Sequence, residues 1–140
     1  MENNLHKNHM PIIYKIDSAR SRVFTSVTGT ITAMDIIGHF EVARRAGFLP
    51  YSEFIDTTSI ASPTLSIGEI GKAAMTVLKL RRQERFGPRA VLVANDTIFG
   101  LVRIFTTLTS DYIPMEIFRD QAGAETWLAD RHGAGQNEKF

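Results

Sequence analysis

The chain contains no cysteine. Disulfides and thiolate chemistry are therefore excluded, which fits a reducing compartment. No apolar run approaches the roughly 20 residues of a membrane-spanning helix. The opening Met1-Glu-Asn-Asn-Leu-His-Lys-Asn-His9 lacks the apolar core of a signal peptide. Charge of one sign is lacking as well: 16 Lys and Arg stand against 15 Asp and Glu, a net charge of +1. A dedicated nucleic-acid binder carries a larger basic excess. The Gly-x-Ser-x-Gly elbow of serine hydrolases and the Gly-x4-Gly-Lys-[Ser/Thr] phosphate loop are both absent. These absences place the expected protein in the cytoplasm, with no membrane span, no cofactor and no nucleic-acid partner.

What is present is an ordinary globular composition over 140 residues, 44% apolar and 22% charged. That is enough chain for one core without staples. The most informative stretch is Arg89-Ala-Val-Leu-Val-Ala-Asn-Asp96. An apolar run without alternation must be covered on both faces, as in a central strand of a parallel sheet. Asp96 then opens a helical apolar pattern, so the stretch reads as a βα unit with Asp96 as N-cap.

The rest of the chain reads around that unit. Ile12 to Asp17 and Val23 to Gly29 form strands, and the short turn at Ser18–Ser21 makes them an antiparallel hairpin. Thr32 with Asp35 starts a helix whose inner face carries Ile36, Ile37, Phe40 and Ala43, with Gly47 as its C-terminal stop. A strand follows at Ser52–Thr57, then a polar loop from Thr58 to Leu65. Ser66 with Glu69 caps a second helix that ends near Phe86-Gly87-Pro88. Arg89–Asn95 is the fourth strand, and a third helix runs to about Ser110. Met115–Phe118 is the fifth strand. Asp120 caps a short last helix bearing Trp127 and Leu128. Flexible tails are expected at 1–10 and 132–140, flanking one domain over 11–131. The fold class is α/β: a mixed, mostly parallel five-stranded sheet with an N-terminal hairpin and about four helices. Right-handed crossovers place helices on both faces.

The ordered set Val27-Thr-Gly-Thr-Ile-Thr-Ala-Met-Asp35, Phe54-Ile-Asp56, Ala90-Val-Leu-Val-Ala94, Phe99-Gly-Leu-Val-Arg-Ile-Phe105, Ile117-Phe-Arg-Asp120 and Glu125-Thr-Trp-Leu128 resembles the bacterial SpoIIAA-like family. That family has the STAS-type fold of anti-sigma-factor antagonists. The resemblance covers roughly Ile12 to Asp130. It implies a small cytoplasmic regulatory or binding domain without established catalysis, in a wider group also compared with lipid-binding CRAL-TRIO domains. STAS antagonists carry a phosphorylated serine at the start of the helix after the third strand, which the resemblance places at Ser66. The family's Asp-Ser-Ser-Gly stands here as Thr64-Leu65-Ser66-Ile67.

Each candidate residue has a plain structural reading beside the functional one. A phosphate on Ser66 would meet exposed helix amides, but an N-cap already explains the serine. Asp56 and Asp96 stand at strand carboxyl ends, where open α/β sheets hold ligands. There they could hold a cation or hydrolyse a substrate, yet turn and cap chemistry accounts for both. Arg119 and Asp120 occupy the place where a phospho-receiver would carry lysine. His39 lacks a partner at metal-ligand spacing and reads as partly exposed. Lys79, Arg81, Arg82, Arg85 and Arg89 form a basic patch suited to a helix C-terminus. The third helix stands out. Ile98, Leu101, Val102, Ile104, Phe105 and Leu108 share one side, and Phe99 widens the arc beyond the stripe that one sheet contact needs. A second apolar neighbour is implied: the terminal helix with Trp127, another subunit in a homodimer, or an apolar ligand. Phe99, Val102, Ile104 and Trp127 are the expected ligand or partner surface. The sequence thus favours a non-enzymatic regulatory or protein-interaction domain. A small lipid-like-ligand binder, with its pocket between the sheet and the first and third helices, comes next. A hydrolase using Asp56 and Asp96 comes third.

Overall fold

A computed structural model of the chain describes residues 11–63 and 65–137. The expected tail at 1–10 and the last three residues of the expected C-terminal tail lie outside them. The chain forms a five-stranded sheet in the order β1-β2-β3-β4-β5. Strand β1 (Ile12–Asp17) pairs antiparallel with β2 (Arg22–Ile31), and every other pair is parallel. The hairpin turns through a short 3-10 helix, Ser18–Arg20, where the Asp17 side chain accepts from Arg20 N and Ser21 adopts a left-handed φ of 51°.

Helix α1 (Ala33–Ala46) begins with a full capping box. Thr32 accepts from Asp35 N, and Asp35 returns a bond from Thr32 N; Gly47, at φ 85°, closes the other end. Such a reciprocal pair satisfies two of the amides a helix start leaves open. Strand β3 runs from Ser52 to Pro63, so most of the expected Thr58–Leu65 loop is strand instead. The reason is a partner: β2 is long enough to pair beyond Thr28, reaching Ile31↔Pro63 through two register shifts. Gly29, at φ 68°, lies beside one of those shifts. Helix α2 (Ile67–Leu78) ends eight residues before Phe86, continuing only as a 3-10 turn over Lys79–Arg82. Strand β4 is Arg89–Leu92. Helix α3 (Asp96–Thr109) is capped by Asn95, whose side chain accepts from Ile98 N; Asp96 is its first residue rather than its cap. Strand β5 is Met115–Phe118, and helix α4 runs Gln121–Asn137, well past the expected stop at 131.

Strand order decides the layering. Successive right-handed crossovers that step one way along a sheet place their helices on one face. So α1, α2 and α3 cover one face together, where Phe40, Ile70, Ala74 and Phe105 pack on Val23. Helix α4 alone covers the other, with Ala124 and Leu128 against Phe54, Ala90 and Leu92. Both faces carry helices, as expected, but in a three-to-one arrangement.

Candidate functional site

On the three-helix face the layers do not close completely. They leave a partly open apolar pocket of about 120 Å³. Its floor is Val27, Ile55 and Val91 of the sheet, and its roof is Ile36, Ile70 and Val102 of the three helices. The few polar side chains in the wall are already engaged. Thr57 Oγ1 donates to Leu92 O at 2.7 Å. Thr25 Oγ1 donates to Glu53, and His39 Nε2 stands 2.7 Å from Glu53 Oε2. The rest of the lining is aliphatic and aromatic, apart from the Met115 thioether. Met34 and Ile67, 72% and 69% exposed, open α1 and α2 at the end of the sheet where Ile36 and Ile70 enter the cavity wall.

Beneath the cavity lies a buried charge network that the sequence reading did not find. Glu53 and Arg89 are both 0% exposed. They are register partners on β3 and β4, and Arg89 Nε lies 3.1 Å from Glu53 Oε1. The contact is charge to charge rather than an aligned hydrogen bond, and Arg89 Nη2 has no acceptor. Arg89 Nη1 donates to Gly87 O at 2.6 Å, and its guanidinium faces the Phe40 ring at 5.6 Å. Gly87 is required there, because a Cβ would collide with the carbonyls of Pro50 and Tyr51. Burial pushes the Glu53 carboxyl up, but the His39 hydrogen bond, the Arg89 charge and the Thr25 hydroxyl outweigh it and hold it down at about 2. Burial likewise pulls the Arg89 guanidinium below its ordinary value, against the opposing pull of Glu53. Two expectations are corrected here. Arg89 is not part of a surface basic patch, and His39 is buried at 9% exposure. A signal for the pair was available: Glu53 alternates with Ile55 and Thr57, so it occupies an inward position of a central strand.

The other expected site residues are dispersed. Val102 lines the cavity, whereas Ile104 packs in the main core and Phe99 in a smaller cluster with Val91 and Ile98. Phe99 is half-buried, with the Arg119 guanidinium 4.7 Å over its ring. Trp127 packs against Phe118 on the opposite face. The terminal helix is therefore not the neighbour that the broad apolar arc of α3 implied; α2 is, together with the sheet. Ser66 caps α2 in a capping box with Glu69 and is exposed. Asp56 shares the α4-facing side with Phe54, and its Oδ1 holds Thr58 N and Oγ1 at 2.8 and 2.6 Å. Asp96 is exposed and pairs with Arg119 at 2.7 Å. The two aspartates thus serve separate interactions: Asp56 holds a local turn and Asp96 pairs across to Arg119. Among the described residues no cluster of three or more His, Asp or Glu could hold a metal ion. Nor is any described helix long and apolar enough to cross a membrane.

Among solved structures, the chain is similar to an uncharacterized protein of the DUF3478 family with a SpoIIAA-like fold from Shewanella loihica PV-4. Identity is 20% over 84% of this chain and 93% of that one, with a TM-score of 0.54. The fold is therefore SpoIIAA-like. No family model matches the chain. No curated protein matches it either.

Proposed function

We propose that this SpoIIAA-like, STAS-type domain is a non-enzymatic cytoplasmic binding module that takes a small apolar molecule, or the apolar end of a larger one, into the cavity of the three-helix face. One observation carries the reading: a void of about 120 Å³ among aliphatic and aromatic side chains. Interiors pack as closely as organic crystals, and voids are costly. At about 24 cal/mol per Å³, a fully enclosed cavity of this size would cost about 3 kcal/mol, and a partly open pocket costs less than that. A bound apolar group recovers part of that energy, and the predominantly aliphatic and aromatic wall suits an apolar occupant. Cavities of similar size and lining hold single aromatic rings. The hydrolase reading draws no support from Asp56 and Asp96, which are engaged separately, with Thr58 and with Arg119.

Calorimetric titration with straight-chain alcohols from butanol to decanol tests the proposal. Affinity should rise with chain length until the cavity is full. Val102→Trp should remain folded by circular dichroism and weaken binding at least tenfold. No binding to wild type at any chain length would overturn the reading. A regulatory, protein-interaction role is the second reading. It is favoured by Met75 and Leu108, 57% and 45% exposed on adjacent helices.

A further inference from the structure

Strand β1 leaves one edge of the sheet unpaired among the described residues. The other edge, β5, has only four residues, one of them Glu116, and is followed directly by Arg119-Asp120. β1 is different. It is six residues, Ile12-Ile-Tyr-Lys-Ile-Asp17, pairing with β2 in an unbroken register without a bulge. Ile13, Tyr14 and Ile16 are 58%, 37% and 42% exposed. A regular, largely apolar, uncovered edge invites a further strand. It has no internal proline and no bulge, and its one protective charge inside the strand is Lys15, on the opposite face from Ile12, Tyr14 and Ile16.

We propose that β1 pairs antiparallel with β1 of a second copy of this chain, joining two sheets into one across a two-fold axis at Tyr14. The backbone fixes the register. Thr28 N donates to Pro11 O, so odd-numbered residues of β1 point their amides and carbonyls toward β2. Those of Ile12, Tyr14 and Ile16 therefore point outward. A two-fold pairing that uses them must set even residues opposite even ones. Centring on Tyr14 places Ile12 against Ile16 and overlaps the whole strand, forming about six backbone hydrogen bonds. It also builds an Ile–Tyr–Ile ladder on the three-helix face. Centring on Lys15 would set two lysines directly opposite one another, which is unfavourable. Centring on Ile16 would set Tyr14 against Ser18, where the strand has already turned. A strip roughly 20 Å long buries less than the ~800 Å² per partner of a standard interface. The pair belongs to the weak, concentration-dependent class.

The absence of cysteine makes the test direct. Opposed residues of a hydrogen-bonded antiparallel pair have Cα atoms about 5.5 Å apart, within the span of a disulfide. Under mild oxidation Tyr14→Cys should yield a covalent dimer. Ile12→Cys and Ile16→Cys should each stay monomeric alone and cross-link when mixed. Sedimentation of wild type should show a dimer forming between roughly 10 and 500 µM, and Ile16→Glu, folded by circular dichroism, should abolish it. Wild type that stays monomeric across that range would overturn the proposal, as would cross-linking of Ile12→Cys or Ile16→Cys alone as readily as Tyr14→Cys. So would a monomer whose β1 amides resist hydrogen exchange until residues 1–10 are removed, which would assign the edge to the chain's own first residues.

Discussion

Glu53 shows how one residue governs this domain. A fully buried carboxylate is tolerated only when its charge is compensated. Arg89 lies beside Oε1 as a charge partner, and His39 and Thr25 bond Oε2, leaving Oε1 without a hydrogen bond. Glu53 has a folded-state value near 2, below its ordinary 4.5. Its ionised form is therefore favoured by folding. The contribution is complete above about pH 4.5 and is lost as pH falls toward 2, an effect on the order of 3 kcal/mol. Urea titrations across that range should show stability falling with acid in wild type and much less in Glu53→Gln. At neutral pH Glu53→Gln should cost about 3–5 kcal/mol, because it strands the Arg89 charge. Adding Arg89→Met should restore most of that loss. If the double variant is no more stable than the single one, the pair is not what Glu53 contributes. The alternation of Glu53 with Ile55 and Thr57 marks an inward carboxylate, but its partner was not legible in the sequence, where Arg89 counted as one more cation in a basic run. Pairing a Glu with an Arg from strands separated by a helix requires knowing that β3 and β4 are neighbours and in what register.

At the scale of elements, the helix starts were the clearest signals, because capping is local. Thr32 with Asp35 and Ser66 with Glu69 form the boxes their spacing implied. Ends that depend on tertiary partners were less legible. β3 continues through Pro63 because β2 is there to receive it, and α3 starts one residue earlier than expected because Asn95 caps in place of Asp96. Helix α3 illustrates the same limit. Its wide apolar arc was read as needing a second neighbour (the terminal helix, another subunit or an apolar ligand), but the arc does not identify it, and within the chain α2 packs there rather than α4. Phe105 is 6% exposed and stacks with Phe40 at 6.0 Å. Phe105→Glu should leave the domain unfolded by circular dichroism, since it buries an unpaired charge. Phe99→Glu places its carboxylate beside Arg119 and should stay folded, losing about 1–2 kcal/mol. Light scattering of Phe99→Glu then separates two interfaces. An unchanged dimer agrees with pairing through β1, whereas a monomer would place the subunit contact on α3.

For the whole molecule, the sheet divides the interior in two. The unbroken apolar run Ala90–Ala94 announced this, since a strand covered on both faces must serve two cores. Which helices share a face was not legible from that run, because it follows from strand order, and strand order depends on pairings between distant segments. The outcome is unequal: three helices pack with Ile70 and Phe40 on one side, and α4 packs alone through Leu128 on the other. These two clusters have no residue in common. Ile70→Ala and Leu128→Ala should each cost about 2–5 kcal/mol. In the double variant the losses should add to within about 0.5 kcal/mol, as for sites without shared partners. Yet β3 and β4 send side chains into both cores, Phe54 and Ala90 to one and Ile55 and Val91 to the other. Neither core can dissolve without disordering the strands the other rests on. Urea unfolding followed by far-ultraviolet circular dichroism and by Trp127 fluorescence, which reports from the α4 side, should therefore give coincident transitions. A fluorescence change that precedes the loss of secondary structure would mean that α4 detaches first. The three-helix core, with its cavity and its buried ion pair, would then stand as a unit by itself.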